Sequence, residues 1–172
     1  MKKPIPHSSA ENAQNRPPAL RPLRLDHSYF ENEVRPYLGA LLVRRGVLTN
    51  ERLDVALAES QATGRRIGEV LLERGWIFES ELAHAIAEQN DVAYVDIAAR
   101  SVDPEAASRL PLEVARRYDA VPVRVLASGA VLVAVSDPQD VDVDDLKQRI
   151  DGDVVLAVAD RSAIQAAWRH LS

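Results

Sequence analysis

The chain has 172 residues, of which 47% are hydrophobic and 27% charged, which suits one ordinary domain or two small ones and excludes a fibre or a wholly disordered polymer. Its net charge of -5 argues against general DNA or RNA binding, which needs a broad basic surface to neutralise phosphates. Cysteine is absent and the four histidines, His7, His27, His84 and His170, are scattered, so disulfides, thiolate chemistry, a His-Glu-x-x-His metal site and a histidine-based triad are not expected.

Met1-Lys2-Lys3 could open a signal peptide, but Pro4-Ile5-Pro6-His7-Ser8 stands where an apolar stretch is required. Nowhere do about 18 apolar residues run together, so no membrane insertion and a cytoplasmic, reducing location are expected. Residues 1–34 hold five of the ten prolines and no sustained apolar period, and read as a flexible leader in which Tyr29 and Phe30 form a short helix before Pro36.

Residues 35–97 contain an internal repeat. Tyr37-Leu-Gly-Ala-Leu-Leu-Val-Arg-Arg-Gly-Val-Leu opens one copy; Arg66-Ile-Gly-Glu-Val-Leu-Leu-Glu-Arg-Gly-Trp-Ile opens the other, 29 positions on. The match continues as Leu53/Leu82, Ala56/Ala85, Leu57/Ile86 and Glu59/Glu88. Leu38, Leu41 and Leu42, like Ile67, Val70 and Leu71, fall on one helix face, and Gly46 and Gly75 end those helices in the left-handed conformation. Thr49 can cap the second helix of the first copy, whereas Phe78 at the same place cannot. The second helices should end near Gln61–Gly64 and near Asn90, both ends tolerating positive φ. The two copies, 37–60 and 66–89, thus predict helical hairpins packed as a four-helix layer.

From Val92 the period changes. Val92–Val95 is a strand candidate; Pro104–Leu110 and Leu112–Tyr118 read as helices. Ala120–Leu126 and Ala130–Ser136 read as a β-hairpin around Ala127-Ser128-Gly129. Asp140–Ile150 reads as a helix, Asp153–Val158 as a strand and Arg161–Leu171 as a final helix. The fold class is therefore α+β: tandem helical hairpins followed, over residues 98–172, by a small α/β subdomain with a mixed sheet.

Residues 35–75 carry seven arginines against five acids, while 91–172 carry nine basic and fourteen acidic positions. A compact anion would therefore favour the hairpins. Gly39 and Gly68 lie inside predicted helices, where glycine costs roughly 1 kcal/mol relative to alanine. Either two helices approach closely there or a ligand touches bare main chain. Arg66 would begin a helix, beside unpaired amides and the positive dipole end, a natural place for an anion. Its guanidinium suits an aromatic plane, the Hoogsteen edge of guanine or a phosphate, and Gln89 could donate to and accept from a base edge. No Gly-x-x-x-x-Gly-Lys-Ser/Thr is present, so ATP hydrolysis by that route is not expected. Asp144-Asp145 read as acids on a solvated helix face, Trp76 as a core or rim aromatic.

The repeated pattern Arg-Leu-Gly-x-x-Leu-Val-x-x-Gly-x-Leu, four positions, then Leu-x-x-Ala-Leu-x-x-Gln resembles the motif of MshEN-type domains, found at the amino end of type II secretion and type IV pilus assembly ATPases. The resemblance runs from residue 37 to 171 and includes Tyr94-Val-Asp, Leu110-Pro, Ala120-Val-Pro-Val and Val133-Ala-Val-Ser-Asp-Pro-Gln-Asp140. It implies a regulatory, non-catalytic module that binds cyclic di-GMP, half of the two-fold ligand per copy. The implied ligand-binding residues are Tyr37, Leu38, Gly39, Leu42 and Ser60 in the first copy and Arg66, Ile67, Gly68, Leu71 and Gln89 in the second. Asp137 would reach in from the α/β half, unless Asp-Pro serves only as a turn. The second copy is close to complete. The first has Tyr37 for arginine and Ser60 for glutamine. No metal or other cofactor is implied, and the partner is a secretion or pilus ATPase, an inner-membrane assembly protein or another attached machine. The altered first copy keeps a second reading open, a docking domain that binds protein and no nucleotide.

Overall fold

The computed structural model describes residues 37–97 and 102–171, with side chains as far as Arg169. The leader, its Tyr29–Phe30 helix and most of the link at 98–103 lie outside the described residues. Residues 35–172 form one compact unit.

Four helices make the first layer: α1 (Leu38–Arg44), α2 (Asn50–Thr63), α3 (Ile67–Glu73) and α4 (Glu79–Gln89). Gly46 and Gly75 take φ of 71° and 64°, ending α1 and α3 as the repeat predicts. Thr49 Oγ1 accepts from the Arg52 amide at 3.3 Å. Phe78 offers no such acceptor; at α4 the Glu81 carboxylate instead accepts from the Phe78 amide at 2.7 Å. After α4 the left-handed residue is Asp91 (φ 52°), not Asn90, whose φ is -99°.

The copies exchange partners. α1 packs on α4 and α2 on α3, and Arg45 pairs with Glu88 at 3.2 Å while its repeat mate Arg74 pairs with Glu59 at 2.5 Å. Arg45/Arg74 and Glu59/Glu88 are each 29 positions apart, so the contact is reciprocal, the signature of a two-fold relation within one chain. Exposed pairs such as these contribute little stability; their use is in fixing register. The stability comes from Leu41, Leu42, Val70 and Leu71, all at most 1% exposed, worth about 1.5–3 kcal/mol apiece on burial.

The second part has a four-stranded mixed sheet, order β1-β4-β3-β2, from β1 (Ala93–Tyr94), β2 (Ala120–Val125), β3 (Val131–Val135) and β4 (Val154–Val158). β2 and β3 form the expected antiparallel hairpin; β4 runs parallel to both β3 and β1. α5 (Pro104–Ser108), α6 (Leu112–Arg117) and α7 (Val143–Ile150) contribute to one face cluster with Leu146 and Val133; α8 (Arg161–Leu171) covers the other through Ile164 and Ala167. β1, from the hairpin segment, belongs to this sheet, and Ala83 and Ala87 of α4 pack on Val158.

The helix expected from Asp140 begins at Val143. Asp142 takes the N-cap, accepting from the amides of Asp144 and Asp145 at 3.1 Å, and Pro138–Asp140 forms a separate 3-10 turn. Asp145 is also more than a solvated acid, since it accepts from the Tyr118 hydroxyl at 2.8 Å.

Candidate functional site

Tyr37 and Arg66 are the N-caps of α1 and α3, with almost the same backbone: φ -62°, ψ 135° and φ -67°, ψ 142°. Their side chains therefore leave equivalent points of the two hairpins. Tyr37 is half exposed. Leu38 and Ile67 follow, each half-buried against the helical core. Gln89 is the last residue of α4 and half-buried.

Arg66 is where the two parts of the unit meet. Its Nη1 donates to Asp140 Oδ2 at 2.6 Å and to Asp137 Oδ2 at 3.3 Å, and its Nη2 to Asp140 Oδ1 at 2.5 Å. The side chain nevertheless remains 60% exposed. Asp137 caps the 3-10 turn and Asp140 ends it, the Asp140 amide donating to the Asp137 carbonyl at 3.2 Å, and this tight turn brings both carboxylates to Arg66. Asp137 also accepts from the Gln139 amide at 2.9 Å, fixing the turn. Hydrogen bonding to Arg66 holds the Asp140 carboxyl below its ordinary range, and the guanidinium is raised in turn, chiefly by Asp140.

Several expectations change. The open anion site at the start of α3 is not found: α3 has seven residues, and Asp140, Asp137 and Glu69 already answer the charge of Arg66. The glycines are explained by packing. A methyl at Gly39 would overlap Leu53 Cδ1, and one at Gly68 would meet Leu82 Cδ1 at 3.1 Å, so the side-chain-free surfaces are filled from within each hairpin. Leu42 and Leu71 are 0% exposed, their side chains forming part of the helical core. Ser60 Oγ donates to the Arg65 carbonyl at 2.5 Å, closing the link between the hairpins. Asp137 and Arg66 are brought together. Asp140, the stronger partner, escaped the sequence reading, although its spacing of three from Asp137 across a proline was the signal available.

Trp76 is a rim aromatic. The guanidinium of Arg74 lies 4.9 Å and that of Arg52 5.6 Å from its ring centroid, satisfied as cation–π contacts. Among the described residues no cluster of metal-binding side chains occurs, and no helix is long and apolar enough to cross a membrane.

Paired helical hairpins set on a mixed four-stranded sheet, with the repeated motif and the Asp-Pro turn meeting at Arg66, give an arrangement similar to that of the MshEN type. Residues 90–172 match the MshEN domain family model. The chain is 34% identical over 131 residues to type IV pilus assembly ATPase PilB of Myxococcus xanthus, covering 76% of this chain and 23% of that protein. It is 33% identical over 138 residues to bacteriophage adsorption protein B of Escherichia coli K12, covering 80% and 18%. The chain thus spans about a fifth of the length of these relatives. A solved structure of MshE with cyclic di-GMP superposes with a TM-score of 0.67 at 27% identity, covering 80% of this chain and all of that one.

Proposed function

We propose that the tandem hairpins bind cyclic di-GMP and that the domain acts as a non-catalytic, cytoplasmic regulator of an assembly ATPase or of another machine attached to it or partnered with it. The observation that carries this reading is the likeness, along the whole of the other chain, to MshE with cyclic di-GMP. The second motif supports it: Arg66 is exposed at the head of α3, and Ile67 beside it is half-buried. Gly39 and Gly68 would contribute main chain only, and Leu42 and Leu71 only the floor beneath. Because Arg66 also grips the α/β part through Asp140, a ligand that engages Arg66 biases how hairpins and sheet are held together, and differential affinity for two arrangements is what regulation requires.

Isothermal titration calorimetry of the chain with cyclic di-GMP tests this. Binding is expected, weakened strongly by Arg66→Ala and less by Tyr37→Ala. Absence of heat at high micromolar ligand overturns it.

The docking reading draws on the first copy, where Tyr37 replaces arginine and the Ser60 hydroxyl is committed to the Arg65 carbonyl. In that case the domain recruits an assembly ATPase to an inner-membrane partner without binding nucleotide. Tyr37→Arg with Ser60→Gln separates the two: nucleotide binding gained only by the double variant would mark the natural chain as a scaffold.

A further inference from the structure

We propose that the turn joining α3 to α4, with the flank of α2 beside it, is a docking surface for a partner-protein segment that carries both carboxylates and large apolar side chains. The surface stands apart from Arg66 and holds whether or not the hairpins bind nucleotide: Arg52, Trp76 and Phe78 all fall at positions the repeated motif leaves open.

Both hairpins build the surface. Phe78 follows the turn and is 77% exposed, and Val55 on α2 is exposed as well. At the equivalent place in the first copy the Thr49 hydroxyl caps its helix. Phe78 gives up that cap, and a ring left so open to water recovers little of the loss through burial. Trp76, two residues before Phe78 and half-buried, ties the turn to the other hairpin, since the guanidinium of Arg52 on α2 lies 5.6 Å from its ring centroid. Val55, three residues beyond Arg52, shares that flank of α2. Trp, Phe and Arg gathered in this way are residue types enriched in protein interfaces, with Trp and Arg common among their anchors.

Charge decides what the partner brings. Arg44, Arg45, Arg65, Arg66 and Arg74 are each paired with a carboxylate, whereas Arg52 has no carboxylate partner among the described residues. The acids near the turn are committed: Glu59 to Arg74, Glu79 to Ser162 and Glu81 to the Phe78 amide. Glu51 and Asp54 lie about 100° and 160° round α2 from Arg52. A guanidinium held against an indole keeps its N–H donors for a carboxylate. Beside the ring that cation is partly desolvated, so the pair is stronger there than in open water. Leucine or phenylalanine next to the carboxylate covers Phe78 and Val55, and a basic segment is refused by the same charge.

The test selects short random peptides, displayed on phage, against the full chain, and then titrates a synthetic copy of the tightest binder by calorimetry. Selected peptides should carry Asp or Glu beside Leu or Phe. Arg52→Glu and Phe78→Ser should each weaken binding roughly tenfold or more. Both variants should fold, with melting temperatures close to or above the parent's, because Arg52→Glu repeats the Glu81 found 29 positions on and Phe78→Ser supplies a hydroxyl cap. A peptide with Lys in place of its acids should bind Arg52→Glu better than it binds the parent. Arg66→Ala, at the opposite end of α3, should leave peptide binding unchanged. A selection that yields no binder, peptides without acids, affinity indifferent to Arg52 and Phe78, or self-association of the chain through Phe78 in sedimentation would overturn the proposal. None of these outcomes bears on cyclic di-GMP, which the nucleotide titration tests separately.

Discussion

Gly39 and Gly68 occupy the same place in the two copies, yet the structure gives them different tolerances, and alanine at each position measures the difference. Each is the second residue of its helix, where the exchange gains at most the helix-interior value of about 1 kcal/mol of propensity. At Gly68 the new methyl would stand 3.1 and 3.2 Å from the Leu82 methyls, which needs only a small shift of the tip of a half-buried leucine. Gly68→Ala should therefore lie between neutral and about 1 kcal/mol more stable. At Gly39 the methyl would overlap Leu53 Cδ1, and overpacking of that kind costs typically 1–3 kcal/mol, leaving a net loss of about 0–2 kcal/mol. Urea unfolding without ligand, with midpoints compared at constant m-value, gives both numbers. Leu53→Ala combined with Gly39→Ala should relieve the overlap and show a favourable coupling of about 1 kcal/mol. The packing explanation fails if Gly68→Ala loses as much as Gly39→Ala, or if removing Leu53 rescues nothing.

Other outcomes follow from single contacts. Leu71→Ala empties part of the helical core beneath the second motif and should cost about 2–5 kcal/mol in the same unfolding assay. Phe78→Thr adds the missing hydroxyl cap to α4 beside the Glu81 carboxylate already in place, completing a capping box. It should raise stability by about 0.5–1 kcal/mol, seen as a higher urea midpoint. Asp160 sits where burial pushes its carboxyl above the ordinary range, with Tyr94 donating to it at 3.2 Å. A carboxyl raised in the folded state stabilises most below its unfolded value and loses that contribution as pH climbs through the folded one. Asp160→Asn should then gain on the parent at neutral pH, the gain vanishing below about pH 4; unfolding midpoints across that range check it. Tyr94, pushed up to about 12 first by burial and then by Asp160, should stay neutral throughout, as absorbance at alkaline pH would show.

Much of the fold could be read from periodicity. The 29-residue displacement located both hairpins, the glycines after α1 and α3 marked their ends, and Ala127-Ser128-Gly129 marked the β-hairpin. The pairing between copies was not legible, because Arg45 and Glu88 are far apart in sequence and only the folded chain shows that each hairpin takes its partner from the other. Asp142 was overlooked as a cap because three other aspartates surround it. At the site, the sequence points to Arg66 at the head of α3, and the structure shows that Asp137 and Asp140 set its charge environment. An arginine at a helix start reads as an open anion site until the Asp-Pro turn, 71 to 74 positions later, is seen to close on it. Motif membership does not say which leucines face inward: Leu42 and Leu71, at zero exposure, do, whereas Leu38 is half-buried.

The most direct measurement is a melting curve of the chain with and without cyclic di-GMP. A ligand bound only by the folded state stabilises by about 2.7 kcal/mol at a hundredfold excess over Kd, a rise of several degrees for a domain of this size. That rise, much reduced by Arg66→Ala, is the predicted result. An unchanged melting temperature at saturating nucleotide would contradict the account.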